Sequence, residues 1–244
     1  MKKPVLMLLP FVLALTCGCT PSSEDIARKA DANTLSKEDI GSAVGSAQNA
    51  PQLLDAATER CIRNYGPTIK MYSGRYGFDW RLVLAIMKQE SRFSRGAESH
   101  KGAAGLMQLM PVTGEELARR LDLDDLSHPD HNIQAGIFYL RKLYDLFEGS
   151  EDADRLKLTL AAYNAGLSRV NDAQELAAYL HAKPAEWEAV KDALPLLSKR
   201  FYTLHRSVWG RDKPKSGWFG NAGQTLKYVD SVMDYYDDFR LALN

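Results

Sequence analysis

The sequence predicts an all-α fold, on two observations. Apolar residues recur at helical spacing through most of the chain from about residue 53 onward, and alternating β patterns and hairpin turn signals are scarce. Glycine-bearing turns and polar caps then divide the apolar stripes into segments of helix length.

The segments before that point do not read as part of the fold. "MKK" followed by "PVLMLLPFVLALT" has the basic start and short apolar run of a secretory signal, too short to span a bilayer as a mature helix. In "LALTCGC", Gly18 stands directly before Cys19, the arrangement of a lipoprotein signal in which the cysteine becomes the lipidated first residue; ordinary cleavage nearby is the alternative. An acylated Cys19 would tether the mature chain to a membrane. Residues 19–52 are rich in Ser, Ala, Gly, Asn and charge and hold no aromatic residue, so they read as a lipidated N-terminus and flexible linker. The predicted organisation is therefore a signal at 1–18, that linker, and one domain at 53–244. If Cys19 is acylated and Cys17 leaves with the signal, Cys61 has no partner, and the domain must hold without an internal disulfide.

The helices follow in order. "LLDAATERCIRNYGPTIKMYSGRYG" places Cys61 as a small buried hydrophobe, and "DWRLVLAIMKQESRF" starts at a cap, Asp79. "VTGEELARRLDL", "DHNIQAGIFYLRKLYDLFEG", "DADRLKLTLAAYNAG", "NDAQELAAYL", "PAEWEAVKDALPLLSKRFYTLHR" and "NAGQTLKYVDSVMDYYDDFRLAL" complete the set. Two irregular segments interrupt it, "SRGAESHKGAAGLMQLMP" and "VWGRDKPKSGWFGNAG", and long irregular segments in a compact domain tend to carry function.

Composition narrows the function. The 31 basic and 31 acidic side chains balance to a formal net charge of zero, which leaves no footprint for nucleic acid. The chemistry must be sought in a site. In the second helix Val83, Ile86 and Met87 form an apolar stripe whose next position is Glu90. A carboxylate near a helix C-terminus and among apolar neighbours is pushed toward its protonated form, which suits a general acid. The alternative is a side chain that bends to solvent or pairs with Arg92 or Arg95.

In the loop that follows, Gly102 and Gly105 allow close backbone approach, Ser99 and Gln108 offer hydrogen bonds, and Met107, Met110 and Pro111 offer an apolar wall. A sugar with N-acetyl groups presents both kinds of surface. A plain linking loop with core methionines is the competing reading. His128 and His131 flank Asp130 at a spacing metals can use, but a cap and turn before the next helix fit better, so no metal or other cofactor is expected. Trp209 and Trp218 could stack on sugar or on neighbouring helices.

The ordered motifs "ESRF", "AESHKGAAGLMQLMPVT", "HPDHNIQAGIFYLRKL", "AAYNAG" and "QTLKYVDSVM" resemble those of lytic transglycosylase domains of the soluble-lytic-transglycosylase type, relatives of goose-type lysozyme. "VKDALPLLS" and "YVDSVMDYYDDF" resemble the catalytic domain of the membrane-bound F-type family, without the solute-binding-like domain that precedes it there. The resemblance implies a lysozyme-like helical domain with a central glycan-binding cleft and peptidoglycan glycan strands as partner. It implies Glu90 as the single catalytic acid, with Ser99, Gln108, Met110, Tyr163, Asn164, Gln224 and Tyr228 on the substrate. Leu156, Leu160 and Tyr163 share a helix face, so Tyr163 is expected to present its hydroxyl to the cleft.

The implied reaction cleaves the MurNAc-β-1,4-GlcNAc bond without water, the substrate's own N-acetyl group standing in for a second carboxylate and a 1,6-anhydromuramoyl end forming. One departure is Gln224, where the family commonly has glutamate. Muramidase-type hydrolysis and a non-catalytic murein-binding lipoprotein remain alternatives; Asp122, Asp124 and Asp125 lie close in sequence but in no matching motif. Thr20 after Cys19, in place of an inner-membrane aspartate signal, places the expected anchor in the outer membrane, facing the periplasm.

Overall fold

The computed structural model describes residues 54–243, which are helical apart from turns, loops and two isolated bridges joining Glu98, Ala104 and Leu109. The expected signal, the lipidated Cys19 and the linker lie outside the described residues. Among the described residues no helix is long and apolar enough to cross a membrane.

Helix α1, Ala56–Tyr76, begins where the Asp55 carboxylate accepts a bond from the Thr58 amide at 2.8 Å and ends at Gly77, whose positive φ lets its amide turn back to the Gly74 carbonyl. Helix α2, Trp80–Ser91, is capped by Asp79 as expected. Leu82 through Met87 are all buried, at most 2% exposed, so α2 is a central helix enclosed on every side rather than an amphipathic one with a single core stripe. Helices α3, Pro111–Leu121, and α4, Pro129–Asp145, each start with proline, which has no amide proton to leave unpaired in a first turn. His128 occupies the N-cap position of α4, and the His131 ring faces the Asp125 carbonyl at 2.8 Å, the cap-and-turn arrangement.

Helices α5, Asp152–Ala165, and α6, Leu167–Tyr179, are separated by Gly166 alone, at φ 94°. Helix α6 therefore starts four residues ahead of the expected "NDAQELAAYL". The single helix expected over residues 184–206 is broken. Helix α7, Trp187–Ala193, tightens into 3-10 turns at Leu194–Leu197 and Lys199–Phe201 before α8, Tyr202–Trp209. Pro195 supplies no amide for the α-helical ladder, and Ser198 is extended, so the stripe of apolar residues bends around the core instead of running straight. Helix α9, Ala222–Ala242, closes the domain against α2 and α5, while α1 packs on α4.

Cys61 is buried on α1, and burial pushes its thiol up to about 12. In the tail, Tyr236 is half-buried and donates to Asp79 at 3.1 Å, tying the last helix to the start of α2.

Candidate active site

Glu90 is the penultimate residue of α2 and stands at the foot of a cleft of about 590 Å³. Its partner is neither Arg92 nor Arg95. The Tyr228 hydroxyl on α9 donates to Glu90 Oε1 at 2.6 Å. Burial pushes the carboxyl up to about 7, and the Tyr228 bond pulls weakly the other way, so the group exchanges its proton near neutral pH. Tyr228, expected on the substrate, is itself buried and directs its hydroxyl to the acid.

Residues 92–110 form the next wall, folded back on themselves. The Ser99 amide donates to the Ala103 carbonyl at 2.9 Å, the Ser99 hydroxyl accepts from the Ala103 amide at 3.0 Å, and Ala104 and Leu109 bond each other in both directions. The Ser99 hydroxyl proton is left to donate into the cleft. Gly105, at φ 82°, sits so close to Asn132 of α4 that a Cβ there would lie 2.4 Å from Nδ2. Asn132 is buried and acts as the hub of the wall: its Oδ1 accepts from the Met107 amide at 2.8 Å, and Nδ2 donates to the Ala104 and Leu126 carbonyls.

Seven of the eight expected substrate-facing and catalytic residues, Glu90, Ser99, Gln108, Met110, Tyr163, Asn164 and Gln224, line this one cleft. Three details differ from expectation. Met107 is fully buried against Gly136, where a Cβ would come within 2.6 Å, so the apolar wall on this side is Met110 and not Met107. The Gln108 amide nitrogen donates to the Ala97 and Gly105 carbonyls, both at 2.9 Å, leaving only its carbonyl oxygen for a ligand. The Tyr163 hydroxyl donates to the Met107 carbonyl at 2.8 Å and so braces the loop. Burial and the nearby Glu90 charge hold that phenol well above its usual range.

The Asn164 side-chain oxygen accepts from the Thr225 hydroxyl at 2.9 Å, which turns its NH₂ free of that bond and joins the ends of α5 and α9. Gln224 is exposed in the first turn of α9.

Of the cleft residues, Arg169 and Phe219 were not anticipated, and Trp218, left open between sugar and neighbouring helices, lies on the cleft. Arg169 donates to the Ala165 carbonyl at the end of α5 and packs over Phe219, and Trp218 stands at the rim, 37% exposed, with His205 behind it at 5.4 Å between ring centres. These side chains come from positions whose roles depend on tertiary neighbours. Asn132 did carry a sequence signal: it falls on the Asn132, Gly136, Leu140 stripe, a polar residue on an apolar helix face as Glu90 is. Among the described residues that line the cleft, Glu90 is the sole carboxylate. Asp122 ends α3 and Asp125 holds Ser127; neither reaches the cleft.

Residues 67–184 match the family model of the Transglycosylase SLT domain. The membrane-bound lytic murein transglycosylase F of Desulfosudis oleivorans is 36% identical over 177 residues, covering 72% of this chain and 36% of that protein. Its namesake in Shewanella halifaxensis is 35% identical over 182 residues, 74% of this chain and 35% of that one. The chain thus spans about a third of the length of these relatives. Among solved structures, an inactive mutant of the lytic transglycosylase Slt from Pseudomonas aeruginosa superposes with a TM-score of 0.52 at 26% identity, covering 72% of this chain and 24% of that one. The 70-kDa soluble lytic transglycosylase in complex with bulgecin A gives 0.51 at 25% identity, covering 76% and 25%.

Proposed function

We propose that the chain is a peptidoglycan lytic transglycosylase, a reading that starts from the match of residues 67–184 to the Transglycosylase SLT domain. The observation that carries the proposal is a lone cleft carboxyl, Glu90, held by burial near pH 7 and aimed by Tyr228. Protonated Glu90 gives its proton to the oxygen bridging MurNAc and GlcNAc. The 2-acetamido carbonyl of the sugar stabilises the anomeric cation, as in substrate-assisted glycosidases. Glu90, now ionised, takes the proton of the MurNAc C6 hydroxyl as that oxygen closes onto C1. The bond broken is C1 to the bridging oxygen, the bond formed is C1 to O6, and no water is consumed. Ser99, the Gln108 carbonyl, the Asn164 amide, Gln224 and Met110 hold the strand; Gln224 hydrogen-bonds without placing a second negative charge by the cation.

We propose further that the domain is held in the cell envelope by an acylated Cys19, in the outer membrane and facing the periplasm. The "LTCGC" sequence with Thr20 after it, and relatives named membrane-bound, support that placement.

A digest of purified peptidoglycan tests the reaction. Wild-type protein should release muropeptides one water lighter than hydrolytic products, and Glu90→Gln should lower the rate by about 10³-fold or more, within the range general acids supply. Hydrated reducing ends would make it a muramidase, and binding without products would make it a murein-gripping protein. The same variant reports the acid's environment. A carboxyl at about 7 when folded and about 4.5 when unfolded binds its proton more tightly in the folded state, so its stability contribution is full below about pH 4.5 and is lost as pH rises toward 7. Glu90→Gln should therefore be the more stable protein at pH 8, by roughly 2 kcal/mol once partial exposure is allowed for.

A further inference from the structure

A second concavity, of about 260 Å³, lies between the first turns of α1 and the turn that follows Ser91. Buried Cys61 and half-buried Tyr65 and Phe93 line it, together with Arg60, Arg92 and Arg95, and no carboxylate does. Nearby, Arg63 pairs with Glu59, Arg81 with Asp79 and Lys88 with Asp55, while Lys70 and Arg75 of α1 lie over the Trp80 and Tyr76 rings. Among the described residues these three guanidiniums have no such partner. Three like charges around one apolar-floored opening repel one another and concentrate anions there, and guanidinium forks match carboxylates in pairs of hydrogen bonds.

The backbone that presents them is held in an uncommon form. Arg92 and Phe93 both adopt positive φ, 49° and 64°, where side chains other than glycine are disfavoured. The turn is fixed to the cleft: Ser91, between Glu90 and Arg92, donates its hydroxyl to the Met87 and Leu106 carbonyls at 3.1 and 3.0 Å. Chain geometry then bounds the distance. With consecutive Cα atoms 3.8 Å apart, the Arg92 Cα lies within roughly 7 Å of that of Glu90, and the Arg95 Cα within roughly 14 Å of that of Ser99. An extended peptide of three residues covers roughly 10 Å.

We propose that this arginine pocket receives the carboxylates of the short peptide borne by a muramoyl residue whose sugar lies in the cleft. This rests on the peptidoglycan reading of the cleft. The pocket would then make the enzyme prefer peptide-bearing strands, and the preference would weaken as salt screens the guanidiniums.

The test uses the full chain and soluble, uncrosslinked glycan strands, either peptide-bearing or stripped of peptide by an amidase. The double variant Arg60→Gln/Arg95→Gln should raise KM on peptide-bearing strands about tenfold with kcat unchanged, and leave stripped strands within about twofold of wild type; Arg60→Lys/Arg95→Lys should fall between. In parallel, the isolated stem tripeptide is titrated into Glu90→Gln protein, where it should bind, and into the triple variant Glu90→Gln/Arg60→Gln/Arg95→Gln, where binding should fall at least tenfold. Equal changes on both strand types, undiminished tripeptide binding by the triple variant, or arginine-dependent binding of anionic phospholipid vesicles without the tripeptide would each overturn the assignment. Arginine-dependent tripeptide binding in a protein that cuts neither strand would uphold the pocket and overturn the activity.

Discussion

The two irregular segments that frame the cleft are built on opposite plans. Residues 92–110 are held from within: the loop's own amides and carbonyls pair, one buried side chain, Asn132, fastens it, and the Tyr163 hydroxyl braces it. Residues 210–221 make few such bonds, among them Gly217 to Pro214 and Phe219 to Leu197, and are pinned from outside by side chains of α6 and α8. Buried Asp172 accepts both the amide and the hydroxyl of Ser216, Glu175 takes Trp209 and Lys215, and His205 lies between Leu196, Asp212 and two tryptophans. A loop that closes its own hydrogen bonds has one shape and fails as a unit. A strap hung on separate anchors can lose one and loosen without unfolding the rest.

Three variants probe that contrast. Gly105→Ala should do the most harm, because the new Cβ meets Asn132 and the backbone there is left-handed. A loss of about 3 kcal/mol or more is expected, roughly a 10 °C fall in melting temperature, with activity abolished together with stability. A folded, active Gly105→Ala enzyme would show that the inner wall is not a single unit. Asp172→Ala removes two bonds to Ser216 and should cost about 1–2 kcal/mol, felt locally. Trypsin should cut after Arg211 or Lys215 about tenfold faster, and KM should rise while kcat holds; a melting temperature lowered as far as that of Gly105→Ala would erase the distinction between the segments. Tyr228→Phe is the mildest. The Tyr228 bond lowers the proton affinity of Glu90, so its loss raises it. Since the protonated acid starts the reaction, the alkaline fall in kcat should move to higher pH, with a rate loss of no more than about tenfold at its maximum; a shift to lower pH would contradict the hydrogen bond's assigned direction.

The same contrast explains what sequence alone reveals. The inner wall is legible because its devices are local: Gly102 and Gly105 announce the turns, Ser99 and Gln108 sit at fixed offsets, and Glu90 breaks an apolar period. The position of each residue follows, but the destination of its polar atoms does not. Tyr163 faces the cleft as its helix face requires, yet its proton goes to Met107, and Tyr228 turns to Glu90 across 138 positions of sequence. The outer strap is illegible for a similar reason, since nothing near Ser216 signals Asp172, 44 residues away. Between them, the bend over residues 194–201 escapes periodicity because a 3-10 turn keeps apolar residues facing inward almost as an α-helix does.

Buried Cys61 has a practical corollary for how the domain matures. A thiol that burial pushes up to about 12 stays protonated at neutral pH, and only the thiolate attacks disulfides or alkylating agents. The folded domain is therefore close to indifferent to redox potential. It needs no oxidase to complete it and no reductant to keep it, and its melting temperature should read the same with and without dithiothreitol.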